Sequence, residues 1–215
     1  MSTLGLRVPA RPFPLIRHSP CNKSAFGTLN RPRSPMALRL SKTILLAAVA
    51  FFFFVVFLNN AVLDYAGNYE FVRHVLSMDT VDPTYPELWR AIRPGGTVPQ
   101  SHWIYHAFYW AIIATEASTG ILCGLGAARL WRARHAPAAT FNAAKSTAVY
   151  GLTLSLLQWF TVSLTIGGEW FLMFLSKGWD AQGSAGRMFA CLGIVLIYLA
   201  LEDKDAPAPV TTPAA

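Results

Sequence analysis

A glutamate at position 116 stands inside an apolar run long enough to cross a membrane, and a glutamine at position 158 stands inside another. An acid at mid-span costs on the order of 3 kcal/mol on insertion scales, and such residues mark functional sites by default. Two chemistries suit Glu116. It is a protonated side chain hydrogen-bonded to Gln158 as glue between helices, or a group that carries protons or binds a cation. Bonds of the first kind average only ~0.6 kcal/mol, less than the insertion cost. The residues leave both readings open. Near the ends of the same runs stand His102, His106 and Glu169, and Arg187 stands at the start of another. Glu169 follows two glycines in "TIGGEWF", and is read as pairing with His106 or Arg187. His102 and His106 are one turn apart, a spacing that could serve a metal with Glu169 as third ligand. Histidines near a carboxylate at a membrane interface are far commoner than such sites. Two-imidazole haem ligation needs histidines on facing helices, and the other runs hold none. No phosphate loop, nucleophile elbow or HExxH occurs. No catalytic residue, metal or cofactor is therefore assigned, and the chain is not read as an enzyme.

These residues must be positioned by membrane helices. The chain is 53% hydrophobic and only 13% charged, against roughly a quarter charged in a soluble domain. A span needs roughly 20 mostly apolar residues. The fold expected is all-α, a four-helix transmembrane bundle with helices at about 42–63, 103–131, 146–172 and 184–201. An ordered outer loop, 64–101, joins the first two. The membrane domain covers 39–201, between a disordered basic extension, 1–38, and a disordered tail, 202–215. The extension has no apolar periodicity, and Met36 reads as an alternative start.

The net charge of +7 is read as orienting the chain, not as a nucleic-acid patch. Residues 1–42 hold eight Lys or Arg and no acid, and Arg129, Arg132, Arg134 and Lys145 flank the second connection. Such flanks are cytoplasmic. The outer loop has five acids against three arginines, so both termini are placed in the cytoplasm. Cys21, Cys123 and Cys191 are isolated and read as small hydrophobes.

At roughly 100° per residue, His102, His106, Tyr109, Glu116, Gly120 and Gly124 share a stripe about 80° wide on the second helix. Gly120 and Gly124 give a GxxxG spacing that lets another helix approach, in this chain or in a second copy. Thr147, Gly151, Ser155, Gln158, Val162, Thr165 and Glu169 share a stripe on the third. Polar stripes facing lipid would leave their groups unpaired, so the two are expected to face each other. Glu116 lies 13 residues before Arg129 and Gln158 lies 13 after Lys145, which sets them at one depth. His106, 23 before Arg129, and Glu169, 24 after Lys145, share a depth nearer the outer surface with Arg187. In the outer loop, Phe71, Val72, Val75, Leu76 and Met78 have the spacing of one helical face, which suggests a short helix on the membrane surface. A second short helix is expected over 86–92, ended by Pro94 and Gly95-Gly96.

The blocks "NYEFVRHVLSMDT", "YWAIIATEASTG", "ARLWRARHAPAATFNAAK" and "TIGGEWF" resemble the DUF2165 family of small bacterial integral membrane proteins, over about residues 36–201. The resemblance implies four helices in a bacterial inner membrane, and no activity. It singles out Asp64, His74, Asp79, Glu116, Asn142, Lys145, Gly167, Gly168, Glu169 and Trp170 as candidates. Small size, glycine-lined faces and the lack of a chemical motif favour an accessory or assembly subunit of a membrane complex. The alternative is a small oligomeric proton- or cation-linked transporter using Glu116, His106 and Glu169. The expected partners are the lipid bilayer and either a larger complex or a second copy, met through the Gly120/Gly124 face; nucleic acid is not among them.

Overall fold

The computed structural model describes residues 35–93 and 102–205. Four helices in it are long and apolar enough to cross a membrane: Met36–Leu63, His102–Ala133, Ala138–Trp170 and Gln182–Ala200. All regular structure among the described residues is helical, and the chain is a four-helix transmembrane bundle. The expected end of a helix at Pro94 to Gly96, and the readings of residues 1–34 and 206–215, lie outside the described residues. Two corrections fall at the edges. Residues 35–38, assigned to the disordered extension, are helical. Residues 202–205, assigned to the tail, are held by lysines and an asparagine described below.

The first span is α1 (Pro35–Leu58), continued by a wider, i→i+5 bonded stretch at Asn59–Leu63. Ile44, Phe51, Phe54 and Val55 on it are exposed. In a bilayer they face lipid, where apolar side chains cost nothing. Its other face buries Leu46, Val49 and Phe53 against α3 (His102–Ala133), the helix that it touches most extensively. The third span is jointed. α4 (Ala138–Ala144) and α5 (Ser146–Leu157) meet at Lys145, and a second i→i+5 stretch, Gln158–Trp170, completes it. α6 (Gln182–Ala200) is the last span. The bundle core joins Leu46, Phe53, Cys123, Leu130, Phe141, Leu152, Leu192 and Leu199 from all four.

Helix association in lipid relies on close packing, because lipid tails are as apolar as leucine. α3 and α5 approach closely, backbone to backbone. A Cβ added at Gly126 would lie 2.7 Å from Ala148 Cβ, and one at Gly151 would lie 2.9 Å from Leu122 Cβ. Gly120 and Gly124, the pair expected at such a contact, sit against α1 in ordinary or slightly tight contact with Phe53 and Ala50. The face offered above to a second copy is therefore covered by the chain's own first helix.

The connection between the first two spans is a folded cap. α2 (Tyr65–Ser77) starts where the Asp64 side chain accepts the Gly67 N–H at 3.2 Å, which satisfies one of the donors left free at a helix start. It ends at Met78, in the left-handed region at φ 49°. The expected helix over 86–92 is a 3₁₀ turn, Pro86–Arg90, followed by extended chain. The apolar face of α2 does not lie on lipid. Val75, Leu76 and Met78 are buried with Tyr105, Phe171 and Met173 in a second core beneath the cap. The cap is tied down by Tyr105, whose hydroxyl donates to the Ile92 carbonyl, and by a hydroxyl bond between Thr80 and Ser176. Arg90 Nη1 donates to the Glu169 and Trp170 carbonyls, each at 3.4 Å.

Candidate functional site

Glu116 is 3% exposed, in the middle of α3. Asn60 Nδ2 donates to both of its carboxylate oxygens, at 3.1 and 2.9 Å. Gln158 Nε2 donates to Oε1 at 3.3 Å. The Gln158 oxygen in turn accepts from Thr115 Oγ1 at 2.9 Å, and the Tyr109 hydroxyl donates to the Asn60 carbonyl at 2.8 Å. The structure thus joins Glu116 to Gln158 and adds Asn60, which the sequence reading left out of the seam. Asn60 reaches in from an i→i+5 stretch, and Gln158 opens the other one. Such widened turns are rare and recur at functional sites. Every donor to the carboxylate is a neutral amide. None of the ion pairs among the described residues includes Glu116.

The seam does not extend to the outer end as expected. Glu169 is exposed, and Arg187 donates to Ser184 Oγ at 2.9 Å within its own helix. His106 pairs through Nδ1 with the Tyr65 hydroxyl at 3.0 Å and stacks on Tyr69 at 4.3 Å between ring centroids. The three therefore do not meet. The reason is the wide helix over Gln158–Trp170. It adds a residue to each bonded ring, and over this length it falls behind an α-helix by roughly half a turn. Thr147, Gly151, Ser155 and Gln158 keep to the buried stripe, whereas Thr165 and Glu169 are turned out of it. His102 is exposed as well, and no group of three histidine, cysteine or acidic side chains placed to hold a metal occurs among the described residues. The His102–His106–Glu169 ligand set is not assembled.

A second polar cluster closes the opposite, basic end. Asp203 Oδ2 pairs with Lys42 Nζ at 2.7 Å and with Lys145 Nζ at 2.6 Å. Both lysines also donate to the Leu201 carbonyl, at 2.6 and 2.7 Å. Asn142 bonds the Asp203 main chain in both directions, at 2.9 and 3.1 Å. Arg39 Nη1 donates to the Ala136 carbonyl at 2.6 Å, and its Nη2 pairs with Asp205 at 3.2 Å. The first span, the third span and the segment after α6 are thereby fastened to one another. Burial alone would raise the Asp203 carboxyl, but the hydrogen bonds from Lys145 and Lys42 outweigh it and hold it below the ordinary range. Sequence reasoning took Lys42 and Lys145 for orienting charges and missed their acceptor. The one signal was an acid placed just after the last apolar run.

In the cap, His74 Nδ1 and Arg73 Nη1 both reach Asp79, at 2.7 and 3.1 Å, and Arg73 Nε reaches Glu70 at 2.5 Å. The His74 ring stacks on Trp179 at 4.3 Å. Partial burial works against the Asp79 carboxylate, but the bonds from His74 and Arg73 prevail and lower its pKa.

The model of a family described as a predicted small integral membrane protein, DUF2165, matches residues 38–202. The chain belongs to the DUF2165 family. No curated protein and no solved structure matches it. Four spans and an all-α fold agree with that description of DUF2165. Most residues that carried the resemblance to DUF2165 have visible structural duties. Asp64 caps α2, Asn142 and Lys145 bind Asp203, and Gly167 and Gly168 are buried. Trp170 lies 5.1 Å from the Arg90 guanidinium, edge-on to Trp89. Among them, Glu116 is the acid buried at mid-span without a cationic partner.

Proposed function

We propose that the chain is an accessory subunit of a larger complex in a bacterial inner membrane, with both termini cytoplasmic and the cap in the periplasm. The observation that carries this reading is the tied-down cap. It has its own apolar core, and hydroxyl, guanidinium and phenol bonds fasten it across the mouth of the bundle. A gate needs a segment that opens at low cost. A docking subunit needs a rigid face, and large aromatic side chains at such faces contribute most of the binding. Trp89 and Trp170 are both exposed beside Arg90, as are Tyr85 and Phe174 nearby in sequence.

A second reading, a small oligomeric proton- or cation-linked transporter, is favoured by one observation, the neutral surroundings of Glu116. His106 and Glu169, the other residues that it would use, do not join that site. Purification from native membranes in mild detergent, with mass spectrometry, separates the two. The accessory reading expects partner proteins in fixed ratio to the chain, lost from a Trp89→Ala, Trp170→Ala variant that still inserts and folds. A chain that purifies alone, and that moves protons or cations when reconstituted alone in vesicles, overturns it.

A further inference from the structure

Two hydroxyls one helical turn from Glu116 and Gln158 have nothing to bond. Thr119 and Ser155 are both fully buried, and neither Oγ has a hydrogen-bond partner. Buried polar groups are nearly always satisfied, and an orphan points to a water or an ion. Their positions are related. The antiparallel contact of α3 with α5 brings 116 against 158, 123 against 151 and 126 against 148. That register sets 119 opposite 155. Thr119 is one turn from Glu116 on α3, and Ser155 is one turn from Gln158 on α5. An acid, an amide and two unpartnered hydroxyls thus occupy two successive levels of a single helix interface, under fully buried side chains from Ile113 to Leu152.

We propose that Glu116, Thr119 and Ser155 form a binding site for a small monovalent cation, sodium in character. Its donors, a carboxylate and two hydroxyls, are all oxygen, which suits a hard cation, while Gln158 turns its amide nitrogen to the carboxylate and its oxygen to Thr115. The charge fits: a carboxylate supplies one negative charge, and a divalent ion would leave a positive charge stranded in hydrocarbon. The carboxylate has room. It offers about four acceptor positions, and three amide contacts reach it, with only one on Oε2. The gap is narrow. At the next level a Cβ on Gly151 would come within 2.9 Å of Leu122 Cβ, which favours a small, dehydrated ion. Protonation of Glu116 would also remove its charge, but it would leave both hydroxyls without partners. A bound cation accounts for all of these groups together, and the inference does not depend on the accessory role.

The test uses the full chain in detergent, unfolded by heat in choline chloride with added sodium or potassium chloride. Sodium is expected to raise the midpoint saturably, by roughly 3–5 °C at ten times the half-saturating concentration. Potassium is expected to give less than about a third of that shift, because the gap is narrow. Thr119→Val and Ser155→Ala are the informative variants. Their hydroxyls bond nothing in the protein, so in choline both variants should melt at or above the wild-type midpoint. Each should raise the half-saturating sodium concentration about tenfold, and Glu116→Gln should abolish the response. Equal midpoints in sodium and choline for the wild type overturn the proposal, as does an unchanged sodium requirement in both hydroxyl variants. A water bridging the two hydroxyls would give the first of these results.

Discussion

Asp203 is the residue on which the basic end converges. Its carboxylate satisfies two ammonium groups that would otherwise be buried and unpaired. Removing one partner of such a cluster strands the rest, at roughly 3–5 kcal/mol for buried pairs. Asp203→Ala is expected near the lower figure, about 3 kcal/mol, because the cluster is at a helix end. Combined with Lys145→Met, it should cost less than the sum of the two single changes. Denaturant titration in detergent micelles reads both. The pH dependence follows from the depressed carboxyl. The stabilisation is complete above the unfolded-state pKa, about 3.9 for an aspartate. It is lost as pH falls through the lower folded value. Stability of the wild type should therefore decline in acid below about pH 4. Asp203→Asn, which has no charge to lose there, should show a shallower decline over the same range.

The elements explain why some of this was legible in the sequence. Span lengths and the Glu116–Gln158 level followed from hydropathy and from counting residues inward from basic flanks, because an α-helix rises uniformly. Asn60 and Glu169 escaped the same arithmetic for one reason. Both lie in i→i+5 stretches, where the angle per residue changes and a 3.6-residue wheel misplaces side chains. The Asp203 contact escaped because it joins residues far apart in sequence, and no local pattern carries it. The glycines were misjudged by motif. GxxxG spacing picked out Gly120 and Gly124, but the tight α3–α5 contact rests on Gly126 and Gly151. This yields a paired expectation. Gly126→Ala forces a methyl against the Ala148 backbone at 3.0 Å and should cost about 1–3 kcal/mol, as overpacking does. Gly124→Ala meets only Ala50 Cβ, at 3.8 Å, and should be within about 0.5 kcal/mol of neutral. Thermal unfolding of the two variants side by side checks this, and equal losses would contradict the packing described.

At the scale of the whole molecule, Arg39, Lys42, Pro137, Lys145 and Asp203 share one end, and the cap closes the other. The basic flanks at the first end are the ground on which we propose that this end is cytoplasmic. Reporter fusions at Pro137 should then be active in the cytoplasm, and fusions at Thr84 in the periplasm; the reverse pattern would invert the proposed topology. The same end has a consequence for synthesis. The lysines that grip Asp203 belong to the first and third spans, while the aspartate follows the fourth. A ribosome must therefore pass the fourth span before the clasp can close. Until then Lys42 and Lys145 stay uncompensated, free in the proposed topology to hold their flanks on the cytoplasmic side while each helix is being threaded. Only afterwards do they become internal ligands, so the charges that steer insertion are the ones that later record its completion.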